Sequence, residues 1–186
     1  MSLVNIILEV LWFFLPAMAA NMAPVFAARY NLLPSLARPL DGGKMLSGER
    51  ILGDHKTVRG VICGLIAAFF VIYLQAALFA TTAFAPRISR LKSDNLLTVG
   101  LLGLLLGAGA LGGDAVKSFI KRRLHIRAGH SWPVFDQSDY ILGAIVLVWW
   151  FVPLPLAHII TALIMLGIGS FITSAIGVES GIKKSL

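Results

Sequence analysis

The chain has 186 residues, of which 58% are hydrophobic and only 13% are charged. A soluble domain has about 45–50% apolar and about 25% charged residues, so this chain has too few polar side chains to cover a water-facing surface. The composition excludes an ordinary soluble enzyme and a disordered regulator, and it indicates an integral membrane protein. The single cysteine, Cys63, excludes an intrachain disulfide and a Cys-rich metal site.

Four long stretches with almost no charge predict transmembrane helices. The last, 140–178, would be about 58 Å long as one helix, whereas a hydrocarbon core is about 30 Å thick. We expect it to turn at Pro153-Leu154-Pro155, because proline removes a helix donor and restricts the residue before it. The sequence therefore predicts an all-α integral membrane protein, a single domain over 1–186. The five predicted transmembrane helices are 3–28, 61–85, 96–116, 139–153 and 155–178, and the two long loops are 29–60 and 117–138.

The basic residues predict the orientation of these helices. Lys and Arg number 16 against nine Asp and Glu, a net charge of +7. On a soluble surface this excess would suggest nucleic acid, but in a membrane protein it is typical of cytoplasmic loops. Five helices would place 13 basic residues on one side and three on the other. We predict a multi-pass cell-membrane protein with its N-terminus outside. The C-terminus, both long loops and the functional site are then cytoplasmic, and no nucleic-acid partner is expected; nothing in the sequence indicates an oligomeric state.

The segment after the third predicted helix combines a carboxylate, a hydroxyl and several cations. If that helix continues, Asp114, Lys117, Ser118, Lys121 and Arg122 share one face. A carboxylate can hold Mg²⁺, while cations neutralise phosphate oxygens. The alternative is a basic collar whose Lys and Arg side chains reach lipid head groups. A collar has no use for Asp114, which favours a metal–phosphate site.

Two further aspartates precede the fourth predicted helix. Asp136 and Asp139 are three residues apart and can share one helical face. The alternative is a capping role, since acidic side chains are favoured at helix N-termini. Together with Asp114 they could form one site for a hard cation such as Mg²⁺, Mn²⁺ or Ca²⁺.

Weaker signals lie in the first long loop and in the first helix. Lys56, Thr57 and Arg59 precede the second helix, where backbone N–H groups and the helix dipole can bind an anion. Asn21 forms a polar break in the first helix, for which the alternative is a kink at Pro24. The GxGxxG pattern over 107–112 lies within an apolar run, with no strand before it, and indicates close helix packing.

The ordered motifs resemble those of a known family. Gly113-Asp114, Ser118 and Lys121-Arg122, followed by Asp136 and Asp139, resemble the signature of CDP-diacylglycerol synthases, and 56–60 resembles that family's upstream motif. The chain departs from it in three ways: it is shorter, Gln137 replaces an arginine, and Gly129-His130 is displaced by one position, so no role is assigned to His130. With these departures, the chain resembles the archaeal branch of the family, the CDP-archaeol synthases. By contrast, Asp41-Gly42 begins the motif of CDP-alcohol phosphotransferases, but the rest of that motif is missing.

The resemblance implies a CTP-dependent nucleotidyltransferase of phospholipid synthesis. Its substrates would be CTP and unsaturated archaetidic acid, an isoprenoid ether-linked glycerol phosphate in the bilayer, and its cofactors Mg²⁺ with K⁺ as a second cation. On that basis we expect catalytic roles for Asp114, Asp136, Lys117 and Lys121, and metal binding by Asp114, Asp136 and Asp139. The expected substrate-binding residues are Asn21, Lys56, Thr57, Arg59, Ser118, Arg122 and Arg123.

Three alternatives remain open at this point. The same chemistry could act on a diacyl lipid phosphate. The chain could instead be a small transporter, although its predicted helices carry almost no charge apart from Glu9. A non-catalytic scaffold subunit would leave the three aspartates without a purpose.

Overall fold

The structure, a computed structural model, describes residues 2–90, 95–126, 132 and 135–179. The Gly129-His130 pair, much of the predicted second loop and the C-terminal residues 180–186 lie outside this part. Within it, the chain is mostly helical, with one two-stranded antiparallel hairpin. The helices are α1 (Leu3–Arg29), α2 (Val58–Thr81), α3 (Ala85–Ile88), α4 (Leu96–Arg123), α5 (Phe135–Val148) and α6 (Leu156–Glu179), and the strands are β1 (Met45–Leu46) and β2 (Glu49–Arg50).

Side-chain caps fix where α1, α2 and α4 begin. The Ser2 hydroxyl accepts from the Asn5 amide at the start of α1, and Thr57 Oγ1 accepts from the Gly60 amide at the start of α2. Asn95 Oδ1 accepts two amides in the first turn of α4. Each cap satisfies backbone donors that have no partner within the helix.

Within the described residues, α1, α2 and α4 are long and apolar enough to cross a membrane. Their outward faces are also apolar: Phe70 of α2 and Leu97 of α4 are 68% and 83% exposed. Large exposed apolar surfaces are rare on soluble monomers and suit contact with lipid. α6 has a shorter apolar stretch, Leu156–Ile172. The count of five membrane helices and their sidedness stay predictions.

Several predicted boundaries differ from the structure. α4 continues through Arg123, because 114–123 contains no Gly or Pro and is rich in residues that favour helices. The predicted loop 117–138 therefore begins with two helical turns. The other long loop, 29–60, contains the hairpin, so the described chain is not purely α-helical. The predicted turn at Pro153 is confirmed, since α5 ends at Val148 and α6 begins at Leu156.

The α4–α5 contact positions the candidate site. A Cβ on Gly113 would lie 2.2 Å from the Asp139 carbonyl oxygen, and one on Gly143 would lie 2.1 Å from the Gly109 carbonyl oxygen. Only glycine permits so close an approach of two helix backbones. This packing brings the C-terminal half of α4, which carries Asp114, against the first turns of α5.

Candidate functional site

Three aspartates from two helices surround one ammonium group. Lys117 Nζ lies 3.1 Å from Asp114 Oδ1, 3.3 Å from Asp136 Oδ1 and 2.7 Å from Asp139 Oδ2. Asp114 and Lys117 lie one turn apart on α4, while Asp136 and Asp139 lie one turn apart on α5. The predicted grouping of the three aspartates is therefore present.

Two more lysines complete the cluster. Lys56, from the loop before α2, places Nζ 2.5 Å from Asp114 Oδ2. Lys121 Nζ lies 3.2 Å from both carboxylate oxygens of Asp136. Three carboxylates thus face three ammonium groups, and every ammonium lies within ion-pairing distance of at least one carboxylate. We call these six residues the Asp–Lys cluster: Lys56, Asp114, Lys117, Lys121, Asp136 and Asp139.

Asp136 also organises the chain just before α5. Its Oδ2 accepts the backbone amide of Trp132 at 2.5 Å, and its own amide donates to the Trp132 carbonyl. Burial favours the neutral acid, but this amide and the Lys117 and Lys121 ammonium groups outweigh it and lower the pKa of Asp136. Asp136 therefore ties the chain at Trp132 to the first turn of α5 and carries a negative charge in the cluster. Its position in that first turn suits the helix dipole, but the amide that it accepts lies before the helix, so it is not the N-cap of α5.

The chemistry of these side chains fits a hard divalent cation. Three carboxylates face one point, which the Lys117 ammonium takes up, and carboxylate oxygens are the ligands that Mg²⁺ prefers. Asp139 Oδ2 is buried and lies 2.7 Å from the Lys117 ammonium. As placed, the described residues hold no group of three His, Cys, Asp or Glu side chains arranged around a metal position. A metal therefore needs the ammonium to move out of this space.

Comparisons with known proteins identify the family of the chain. The family model described as CarS-like, CDP-archaeol synthase, matches residues 3–185. The chain belongs to this family. A CDP-archaeol synthase of Methanococcus aeolicus is 37% identical over 82% of this chain and 81% of its own length. One from Methanocaldococcus jannaschii is 33% identical, covering 93% of each chain.

A solved structure has the same fold. It is reported as "Structural insight into an intramembrane enzyme for archaeal membrane lipids biosynthesis". The two chains superpose with a TM-score of 0.70 at 30% identity, over 90% of this chain and 93% of the other. The resemblance that rested on short motifs thus extends over nearly the whole molecule. The chain is a membrane protein of a lipid-synthesis enzyme family.

Three predicted substrate-binding residues lie at the same end of the bundle but outside the cluster. Thr57 adjoins Lys56, and its hydroxyl caps α2. Arg59 turns toward the chain that follows α1, donating to Asn31 Oδ1 at 3.2 Å and to the Leu32 carbonyl at 3.3 Å. Asn21 is half-buried on α1. Their substrate contacts stay predictions.

The remaining predicted residues lie on the last turns of α4. Ser118 is buried, and Arg122 is half-buried one turn further along. Arg123 contacts protein backbone: NH1 donates to the Leu46 carbonyl at 2.6 Å and NH2 to the Arg50 carbonyl at 2.9 Å. Arg123 thus fastens the hairpin to α4, a role that the sequence did not indicate.

Sequence reasoning also missed the centre of the loop that carries Lys56. The Asp41 side chain is 2% exposed and accepts four hydrogen bonds within that loop, including one from Arg50 NH2 at 2.7 Å. The Arg50 guanidinium lowers the pKa of Asp41 well below its usual range, against the effect of burial. Asp followed by two glycines is a turn signal that could have indicated this local role.

Proposed function

We propose that this protein transfers CMP from CTP to unsaturated archaetidic acid and releases pyrophosphate. The observation that carries the proposal is the Asp–Lys cluster, which joins α4, α5 and the first long loop at one end of the bundle. Family membership supports the same activity, since the curated relatives are named CDP-archaeol synthases. The reaction makes it a CTP-dependent lipid-phosphate cytidylyltransferase.

The reaction does not require a catalytic base. A phosphate monoester has a second pKa of about 6 and is largely dianionic at neutral pH. A lipid phosphate oxygen can therefore attack the α-phosphorus of CTP directly. A bond forms between these atoms, and the bond from the α-phosphorus to the oxygen bridging the β-phosphate breaks. Pyrophosphate leaves with that oxygen. The protein must align the two phosphates and neutralise their charge.

The lysines of the cluster suit that neutralisation. Lys56, Lys117 and Lys121 hold their ammonium groups within one small volume, each at least half-shielded from solvent and paired with carboxylates. When the triphosphate binds, phosphate oxygens can replace carboxylate oxygens as partners of these cations. Ser118 and Asn21 would donate hydrogen bonds to either substrate, while Thr57, Arg59, Arg122 and Arg123 would complete the charged surroundings.

Asp114, Asp136 and Asp139 would hold Mg²⁺. Bound there, the ion would neutralise CTP phosphate charge and orient the triphosphate. Transfer of the lysines to phosphate oxygens frees the carboxylate oxygens that they now contact, so the same six side chains serve both partners. K⁺ is proposed as a second cation on the basis of family resemblance.

The proposed membrane arrangement follows from the same site. Five transmembrane helices, with the N-terminus outside and the Asp–Lys cluster on the cytoplasmic side, would let water-borne CTP meet a lipid that stays in the bilayer. The basic loop 29–60, which supplies Lys56, is cytoplasmic in this arrangement, as the positive-inside rule requires.

Pyrophosphate release by the full chain in detergent tests the proposal. CTP and Mg²⁺ are supplied with archaetidic acid in one reaction and with diacyl phosphatidic acid in a parallel one. Turnover with the ether lipid supports the whole proposal. Turnover with the diacyl lipid alone keeps the cytidylyltransferase chemistry and overturns the lipid assignment. Folded protein that releases none with either lipid overturns the proposed function and favours a scaffold.

A further inference from the structure

We propose that Asp41 is a positioning residue that holds Lys56 against Asp114. This inference rests on the proposed function, in which Lys56 contacts the triphosphate. Asp41 itself lies outside the Asp–Lys cluster, and its carboxylate is buried within the loop between α1 and α2. It touches neither proposed substrate and acts through the backbone that carries Lys56.

The Asp41 carboxylate closes the loop on itself. Oδ1 accepts the Gly43 amide at 3.0 Å and Arg50 NH2 at 2.7 Å. Oδ2 accepts the Leu52 amide at 2.9 Å and the Gly53 amide at 3.3 Å. One side chain thus gathers a turn, the second hairpin strand and the segment before α2. A buried carboxylate with this many donors is an anchor for the backbone around it.

This anchor connects directly to Lys56. The Lys56 amide donates to the carbonyl of Gly53, whose own amide is bound by Asp41. On the other side, the Lys56 carbonyl accepts the amide of Leu40, the residue before Asp41, at 2.7 Å. Both polar backbone groups of Lys56 are therefore held by residues that Asp41 bonds or adjoins. Its side chain then extends to Asp114 Oδ2.

The turn at Gly53, which links Asp41 to Lys56, requires an unusual backbone conformation. Its φ is +97°, a backbone conformation that residues with a Cβ rarely adopt. The Asp41–Gly53 hydrogen bond lies within this turn. Losing the acceptor would release the turn, and the Lys56 backbone would move with it.

The chain supplies a matched control. Asp54 also pairs with Arg50, through NH1 at 2.5 Å, but its side chain is 75% exposed, against 2% for Asp41. Exposed ion pairs contribute little to stability, whereas buried charged acceptors contribute much more. Asp41→Asn and Asp54→Asn therefore remove the same charge, from a buried anchor and from the surface.

The first measurement is steady-state kinetics of both variants. The amide nitrogen of Asn cannot accept hydrogen bonds, so Asp41→Asn loses an acceptor as well as the charge. We expect its KM for CTP to rise about tenfold, the effect of weakening a charged contact, with a much smaller change in kcat. Asp54→Asn should stay within about twofold of the parent chain. Equal effects of the two substitutions would overturn the proposal.

A double-mutant cycle distinguishes positioning from general stability. In a Lys56→Met background the ammonium is gone, so Asp41→Asn should add less than about twofold to the loss, because coupled residues are not additive. A fully additive loss would mean that Asp41 acts elsewhere. If Asp41→Asn does not fold, Arg50→Lys tests the same link. A single lysine ammonium cannot replace the two guanidinium nitrogens that contact Asp41 and Asp54.

Hydrogen exchange tests the inference without turnover. Amide exchange at Leu52, Gly53 and Lys56 should accelerate in Asp41→Asn and stay unchanged in Asp54→Asn. This measurement still decides the matter if the parent chain releases no pyrophosphate, which would overturn the proposed function alone. Unchanged exchange in both variants would overturn the positioning role.

Discussion

Among the described residues, two of the ionic clusters lie near opposite ends of α4, and they differ in how many carboxylates they contain. The Asp–Lys cluster pairs three carboxylates with three ammonium groups. The second cluster contains Glu9 of α1, Arg90 and His158 of α6: Glu9 Oε2 lies 3.0 Å from Arg90 NH1 and 3.0 Å from His158 Nε2. Arg90 lines a cavity of about 310 Å³ together with Leu102, near the start of α4.

The difference indicates which cluster is built for exchange of partners. In the Asp–Lys cluster, Lys117 contacts three carboxylates at once, so several combinations of partners are available to an incoming phosphate or cation. Glu9 joins segments that are far apart in sequence, and its single carboxylate is shared by two neighbours. Such an arrangement ties α1 to α6 and leaves no second carboxylate to pair with a released cation. We interpret the first cluster as chemical and the second as structural.

The strongest test of this contrast is Asp114→Asn. The substitution removes a charge that Lys56 and Lys117 both contact, and we expect kcat for pyrophosphate release to fall by about 100-fold or more, the scale of losing one preorganised electrostatic contact. Glu9→Gln should change kcat by less than about threefold, because Glu9 lies near the opposite end of α4 from the Asp–Lys cluster. Circular dichroism in detergent checks that both variants remain helical. Full CTP-dependent activity in folded Asp114→Asn would overturn the site assignment.

The sequence predicted the first cluster much better than the second. Asp114, Lys117 and Lys121 follow helical spacing, and Asp136 and Asp139 recur within a short distance along the chain, so local periodicity and family motifs both indicate them. Glu9 and His158 are 149 positions apart, and nothing local relates them. Lys56 was indicated only weakly, because its approach to Asp114 depends on the loop conformation that Asp41 fixes. Long-range packing, which no local pattern records, determines these contacts.

A second test perturbs the contact between α4 and α5, the two helices that carry the three aspartates of the Asp–Lys cluster. Gly113→Ala would place a Cβ 2.2 Å from the Asp139 carbonyl, whereas a Cβ on Gly112 meets nothing within 4 Å. Gly113→Ala should push α5 from α4 and lower kcat about 100-fold, the scale of a displacement of about 1 Å at a catalytic group. Gly112→Ala should retain activity and gain about 0.5–1 kcal/mol of stability, since alanine favours a helix interior.

The cluster of Glu9, Arg90 and His158 does not use the α4–α5 contact, so Gly113→Ala tests the Asp–Lys cluster alone. The midpoint temperature of thermal unfolding should also fall in Gly113→Ala, because overpacking costs about 1–3 kcal/mol of stability. If Gly112→Ala proves as damaging as Gly113→Ala, close backbone approach is not what positions Asp136 and Asp139.

Glu9→Gln should act mainly on stability. It leaves the half-buried Arg90 and the buried His158 without a carboxylate. We expect a loss of about 1–3 kcal/mol, typical of breaking a shielded charged hydrogen bond. The thermal midpoint in detergent measures this loss, and pyrophosphate release at a temperature well below the midpoint serves as the control. A large fall in kcat with an unchanged midpoint would assign the second cluster to the chemistry instead.

The smallest effect is expected from Arg123→Lys, which separates two roles for one cation. Lysine keeps the charge but cannot reproduce a guanidinium that reaches the Leu46 and Arg50 carbonyls together. If Arg123 serves as the fastening between α4 and the hairpin, amide exchange in 45–50 should accelerate, while kcat/KM for CTP falls by only about threefold. If it binds phosphate, as the sequence predicted, hairpin exchange should stay constant and the KM for CTP should rise. The hairpin response is decisive, because a phosphate contact alone leaves the backbone of β1 and β2 undisturbed.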